Sequence, residues 1–362
     1  MNYKALKKLI LFLFILFSFQ SLSYGYTSED YKNSDNRSIN EKEFSYDTEN
    51  NPIIPYKNHS FQMMTENDLY SILHSDRYYT NGIRFKYISK EFDYGIEKND
   101  MSWGGVVTLA FINKPHVTRY YLGVAHEMYT PILHADIEKY PHPYAGYLYL
   151  TLGAYHRDNK KLERIGLEGG HTGPQAFGKE MQDFIHSIIG AQKFQGWENQ
   201  LKYEPVINLQ YSLSYKSTLY NSKPFDIDVI SSVEASLGNG DTHIGVNGLL
   251  RFGYNLHVDF GPSYTNHFLD QAPPHSDDAF VYFFIGLGSK VVLRNMFVEG
   301  NSFGTGMQSG LTSNFFRFES SAGILAGGKG FRVGYMFSTL NREYFEQPSG
   351  HTFGTLFIDI SI

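Results

Sequence analysis

Cysteine is absent from all 362 residues. That excludes disulfides, thiolate metal sites, a cysteine nucleophile and a lipidated cysteine anchor. Tryptophan is scarce, at two residues. Beyond residue 25 no stretch approaches the ~20 continuous apolar residues that a spanning helix needs, so a helical membrane bundle is excluded. Basic excess is missing as well. The formal net charge is −6, and removing residues 1–25 takes away three lysines and no acid, giving −9. Such a chain is a poor partner for nucleic acid. No His-Glu-x-x-His occurs, which excludes a zincin site. Gly-x-Gly runs such as 304–306 lack a following helix pattern and carry little weight.

What is present points to strands. Tyr (28), Phe (29) and Gly (34) are abundant, a combination that fits strands, tight turns and aromatic interface girdles. The N-terminus reads as a secretory signal peptide over 1–25. Lys4, Lys7 and Lys8 precede the apolar run from Leu9 to Phe19, and Ser21, Ser23 and Gly25 supply small residues for cleavage. Residues 26–57 are polar and aperiodic, and are expected to form a flexible arm. The remainder, 58–362, alternates with period two. Phe61 and Met63 oppose Ser60, Gln62 and Glu66; Ile83, Phe85 and Tyr87 oppose Arg84 and Lys86. Leu148, Leu150 and Leu152 oppose Tyr147, Tyr149 and Thr151, and Leu356, Ile358 and Ile360 oppose Phe357 and Asp359. Further strands are expected near 102–111, 120–128, 161–168, 207–213, 225–238, 243–253, 278–293, 314–326 and 330–338.

Many half-apolar strands of about ten residues in an exported chain match a transmembrane antiparallel β-barrel. Closure satisfies backbone groups that an open sheet edge would leave unpaired in lipid. Single-chain bacterial barrels take even strand numbers, so twelve strands are expected. A soluble β-sandwich or periplasmic barrel shares the alternation and stays open on pattern alone.

One segment breaks the rhythm. From Lys179 to Ile189, residues Met181, Phe184, Ile185 and Ile188 form an i, i+3, i+4, i+7 stripe, so a short amphipathic helix is expected in a long insertion over 169–200. Gln182 and His186 are four apart, on one face beside the stripe. That placement suits a general base with a held neighbour; a surface histidine near a helix C-terminus gives the same pattern. A second polar concentration runs from Asn67 to Tyr87. Asp68, Asp76, Thr80 and Asn81 offer hard oxygen ligands that suit calcium. The same residues are ordinary members of a polar hairpin loop.

Five segments in order resemble the outer-membrane lipid A 3′-O-deacylase family. They are Asn67-Asp68 with Asp76 to Gly82, His126 to Pro131, Pro143 to Leu150, the region from Gly173 through Gln182 and His186 to Gln200, and Arg342 to Gln347. The likeness spans about 58–362. It implies a twelve-stranded outer-membrane barrel with its active site at the extracellular rim. It also implies calcium-dependent hydrolysis of the ester that carries the 3′ acyloxyacyl group of lipid A. Carried over by position, His186 matches the base, Gln182 its helix neighbour, and Asn67 and Asp68 the active-site pair. Asp68 is then the foremost Ca2+ ligand, and Thr80, Asn81 and Gly82 lie where further oxygens are supplied. The expected partners are lipid A and outer-membrane lipids, and a monomer is expected. One departure stands out: Pro141-His142 replaces the Asp-Arg usual before Pro-Tyr-Ala-Gly, which puts lipid A phosphate positioning in doubt unless Lys139 compensates. Competing readings are a passive barrel, porin or adhesin, and an outer-membrane phospholipase.

Overall fold

The computed structural model describes residues 44–71, 78–93, 108–111, 114–131, 142–189, 195–222, 224–256, 259–262, 279–303 and 306–362. The expected signal peptide, most of the expected arm, Asp76, Arg77, Lys139 and Pro141 lie outside them.

Twelve strands follow one another: β1 Ser60–Asn67, β2 Tyr78–Ile88, β3 Val117–Thr130, β4 Ala145–Arg157, β5 Lys161–Thr172 and β6 Glu204–Ser222. They continue as β7 Phe225–Gly238, β8 Asp241–Tyr254, β9 Phe280–Asn295, β10 Phe316–Gly328, β11 Phe331–Leu340 and β12 His351–Ser361. Each pairs antiparallel with its chain neighbours, and β12 returns to β1 with Gly354 opposite Asn67. The expected closed twelve-stranded barrel is thereby formed. The sequence alternation maps onto its wall inside out. Phe61, Met63, Phe85, Tyr87, Leu150, Leu152, Leu356, Ile358 and Ile360 are exposed, while Gln62, Glu66, Arg84, Lys86, Thr151 and Asp359 are buried. Polar-in, apolar-out strands are stable where lipid surrounds the wall. Among the described residues no helix is long and apolar enough to cross a membrane.

The rim where β1 starts and β12 ends is here the lower rim; β1 finishes at the upper rim. The lower half of the lumen is cross-linked. Arg251 donates to Asp228 at 2.6 and 2.8 Å and also pairs with Asp259, which rises from the β8–β9 connection. Asp259 accepts from Tyr282 at 2.8 Å and from Arg332, whose Nε holds Asp359 at 2.5 Å. Higher up, Glu127 accepts from Tyr129 and Tyr149, and Glu66 from Tyr79.

Two expectations need correction. The candidate strand near 102–111 is no strand where it is described: Thr108 and the backbone N–H groups of Leu109 and Ala110 donate to Glu163, which shares the outward parity of Leu167, so this segment lies over the outer wall near the lower rim. Residues 44–57 of the expected arm are also built in, against the lower end of the barrel. Ser45–Tyr46 pairs with Pro52–Ile53, the Ile54 carbonyl accepts from Arg157, and Asn159 donates to Asp47. Ile53 supplied an apolar anchor that the polar average of the segment concealed.

Candidate functional site

Residues directly opposite in an antiparallel sheet share a face. One row at the upper rim runs Gly354, Asn67, Asn81, Met128, Gly146 across β12, β1, β2, β3 and β4. Its parity matches the lipid-facing residues below: Phe61 and Met63 on β1, Phe85 on β2, Leu122 and Val124 on β3, Leu150 on β4. These positions therefore point out of the barrel. Yet Asn67, Asn81 and Met128 are buried, because two upper connections fold down over the outer wall.

The first cover is the turn after β1. Asn67 Oδ1 accepts from Leu69 N at 2.8 Å and caps a 3-10 turn over Asp68–Tyr70. Asp68 is fully buried, and its carbonyl accepts from Ser71 N and Oγ. A Cβ on Gly354 would meet Tyr70 Cβ at 2.7 Å, so this turn lies on the outer face of β12. Beside it, Asn81 Nδ2 donates to the Glu66 carbonyl at 3.2 Å, and the Thr80 hydroxyl bonds that of Thr130 at 2.6 Å. Gly82 faces the lumen instead; a Cβ there would lie 2.0 Å from the Tyr79 hydroxyl.

The second cover is the β5–β6 connection, which carries α1, Gly178–Ile189. A Cβ on Gly146 would stand 2.8 Å from Gly178 N, so glycine rests on glycine and the helix start seats on β4. Just before the helix, the Ala176 carbonyl bonds His126 Nε2 at 2.7 Å, a tether from β3. The helix touches both β4 and β3. Its buried edge is Gly178, Gln182 and His186, spaced i, i+4, i+8; Gln182 is 0% and His186 4% exposed. Phe184, in the sequence stripe, is 61% exposed. The helix thus turns its polar edge to the barrel and one apolar residue outward. In water that would be the wrong way round; beside a lipid-facing wall the outward phenyl is at home.

Trp197 completes the cover. Its indole N–H donates to Gln182 Oε1 at 2.7 Å, its ring packs under Gly178 and against Tyr144 with centroids 5.0 Å apart, and Met128 joins the cluster. Gln182 Nε2 is buried with no hydrogen-bond partner among the described residues. Leaving such a donor unmet costs about 1–3 kcal/mol.

Asn67, Asp68, Asn81, Gln182 and His186 therefore share one rim and one side of the wall. Gly146 lies three strand spacings from Asn67, about 14 Å. The eight steps from Gly178 to His186 span about 12 Å of helix. Asp68 with neutral amide, hydroxyl and backbone oxygens nearby forms a hard-oxygen donor set, which fits calcium rather than zinc. Among the described residues no cluster of three or more His, Asp or Glu side chains suited to a metal occurs.

Sequence reasoning gave Trp197, Gly146, Gly178 and His126 no role in the site. Trp197, Gly146 and His126 lay inside the resembling segments, which marked the regions but not the residues. His142, expected near the site, is instead packed over the lumen. Its ring lies 5.7 Å from those of Tyr78 and Tyr344, and Nδ1 bonds the Pro143 carbonyl. Gly300 to Gly304 spells Gly-x-Ser-x-Gly, but it follows the short helix α2, Met296–Glu299, not a strand. Ser302 there donates to the Asn239 carbonyl and accepts from Arg294, so its hydroxyl is engaged on both sides.

A closed, lipid-facing barrel with a buried polar site on its outer wall defines an outer-membrane β-barrel protein. The chain belongs to the family described as "Outer membrane protein LpxR", whose model matches residues 14–362. This is the lipid A 3′-O-deacylase family that the five segments resemble. Among solved structures, LpxR from Salmonella typhimurium superposes with a TM-score of 0.66 at 16% identity, covering 83% of this chain and 99% of that one. The β domain of the Bordetella autotransporter BrkA gives 0.37 at 12% identity, over 85% and 98%. The translocator domain of NalP from Neisseria meningitidis gives 0.35 at 11%, over 84% and 87%. No curated protein sequence matches the chain.

Proposed function

We propose that this protein is a lipid A 3′-O-deacylase that works from the outer wall of its barrel at the extracellular surface. The observation that carries the reading is the buried polar edge of α1. It holds Gln182 and His186 against the outer wall, at the rim where Asn67 and Asp68 turn and above the lipid-facing belt. A glycolipid lying along that belt brings its sugar-proximal esters to this height without leaving the membrane. Both chain ends of the barrel lie at the opposite rim, and the longest helical insertion lies at this one, which supports the extracellular assignment.

The chemistry needs neither serine nor cysteine. His186 takes a proton from a water whose oxygen attacks the ester carbonyl carbon. The carbonyl electron pair moves onto oxygen, then returns as the bond to the sugar oxygen breaks. The imidazolium gives its proton to that departing oxygen, leaving a free acyloxyacyl acid and a 3′ hydroxyl. Asn67 braces the turn that presents Asp68. Asp68, with oxygens of Thr80, Asn81 and Gly82, would hold Ca2+, which when bound polarises the carbonyl.

A passive pore is the less favoured reading, since Arg251, Arg332 and their carboxylates bridge the interior that a channel keeps open. The test is the mass of lipid A after expression in a host lacking the activity. Loss of the 3′-linked acyl groups is expected. Intact lipid A with ion conductance in planar bilayers would leave a channel, and loss of glycerophospholipid alone would leave a phospholipase.

A further inference from the structure

At the site, Gln182 has one end of its carboxamide chemically fixed and the other without a partner among the described residues. An indole N–H can donate and cannot accept. Its 2.7 Å bond to Gln182 therefore assigns the carboxamide oxygen to the Trp197 side and leaves the NH2 on the other. Trp197 is itself clamped: its ring lies between Gly178 and Tyr144, and Tyr144 Oη donates to the Gln195 carbonyl at 2.7 Å. The NH2 so oriented is buried and has no acceptor among the described residues. One helical turn on, His186 occupies the same buried edge. Side chains four apart on a helix have Cβ atoms about 6 Å apart, a span that brackets one ester group.

We propose that the Gln182 NH2 donates a hydrogen bond to the ester carbonyl oxygen as it becomes an oxyanion, and that Trp197 is the positioning residue that keeps the carboxamide from flipping. Donors set in advance toward developing charge are worth most in water-poor sites. A flipped amide would present its oxygen to that charge and repel it. This inference rests on the hydrolytic reading above.

The experiment compares kcat and KM for lipid A in detergent micelles, with heat-modifiable gel mobility confirming the folded barrel. Gln182→Glu keeps the shape and an acceptor for Trp197 but removes the donor; kcat is expected to fall about 100-fold. Trp197→Phe keeps an aromatic ring, removes the N–H and trims the indole to a phenyl; kcat is expected to fall about tenfold with KM and the pH profile unchanged. Combining Trp197→Phe with Gln182→Glu is expected to add nothing to Gln182→Glu alone. A Trp197→Phe loss that persists in full in the double variant would make Trp197 merely structural and overturn the proposal. So would full activity of Gln182→Glu or Trp197→Phe. An active His186→Ala enzyme would instead remove the hydrolytic reading itself, so the two failures are distinct.

Discussion

The lumen and the outer wall of this barrel spend polar side chains in opposite ways. Inside, polar groups close on one another: Arg251 is shared by Asp228 and Asp259, Arg332 by Asp259 and Asp359, and Glu127 by two tyrosines. Outside, under α1, the Gln182 NH2 is held in place with no acceptor among the described residues. Closed circuits stabilise; an aimed and unmet donor waits for something to arrive. Unpartnered atoms occur among the described lumen residues too, on Asn247 for example; what sets the outer one apart is that it stands one helical turn from His186.

The contrast can be broken at the outer wall first. Replacing His186 with alanine is expected to abolish deacylation, at least 1,000-fold on the scale of removing a general base, while the barrel still shows heat-modifiable mobility. Chelation with EGTA is expected to stop turnover, and added calcium to restore it; an enzyme indifferent to chelator would discard the role given to Asp68. A subtler break is Gly146→Val. The added carbons meet Gly178 backbone at under 3 Å, so α1 must lift. A shift of about 1 Å can cost about 100-fold in rate, and lipid A deacylation should fall by that order in a barrel of normal stability.

The lumen should respond in the other currency. Arg251→Met strands Asp228 without its cation and leaves Asp259 to Arg332 alone, and breaking a buried pair costs about 3–5 kcal/mol. The unfolding temperature in detergent is expected to drop while activity per folded molecule holds.

The smallest effect concerns pH. Burial holds His142 down at about 4, with the Glu343 carboxylate opposing, against an ordinary 6.5. Glu343 is pushed up by burial but held lower on balance by Arg317, His351 and His142. Both groups are depressed, so the folded cap binds fewer protons than the open one. The His142 part of the stability is full above pH 6.5 and is lost as pH falls toward 4; the Glu343 part is lost below its ordinary 4.5. Hydrogen exchange in 341–350, corrected for intrinsic rates, should therefore rise across that window, and His142→Phe should flatten the His142 portion.

Much of the wall was legible because period two survives inside-out burial. Alternation finds the faces, as at Phe61 and Met63 against Gln62, whichever one meets lipid. The end of the alternation was harder to read. Thr108 to Phe111 packs on the outer wall through bonds to Glu163, far away in sequence, and no local pattern carries that. In α1 the stripe was found, but Phe184 points away from the barrel, because the sequence does not say what surrounds a helix. Asn67, Asp68 and His186 were singled out by motif order. The seat of Gly146 on Gly178 and the Trp197 bond were not, since each joins segments whose meeting depends on the whole barrel.

The helix is fastened to the cylinder by a backbone seat, the His126 tether and one indole, and Phe184 on its far side is 61% exposed to the surroundings. An attachment of that kind is modular. Residues on the free side of α1 can drift, or be grafted from a relative, without disturbing strand register or interior charge. Selectivity among acyl tails can thus evolve on a dozen residues while the remaining architecture stands still.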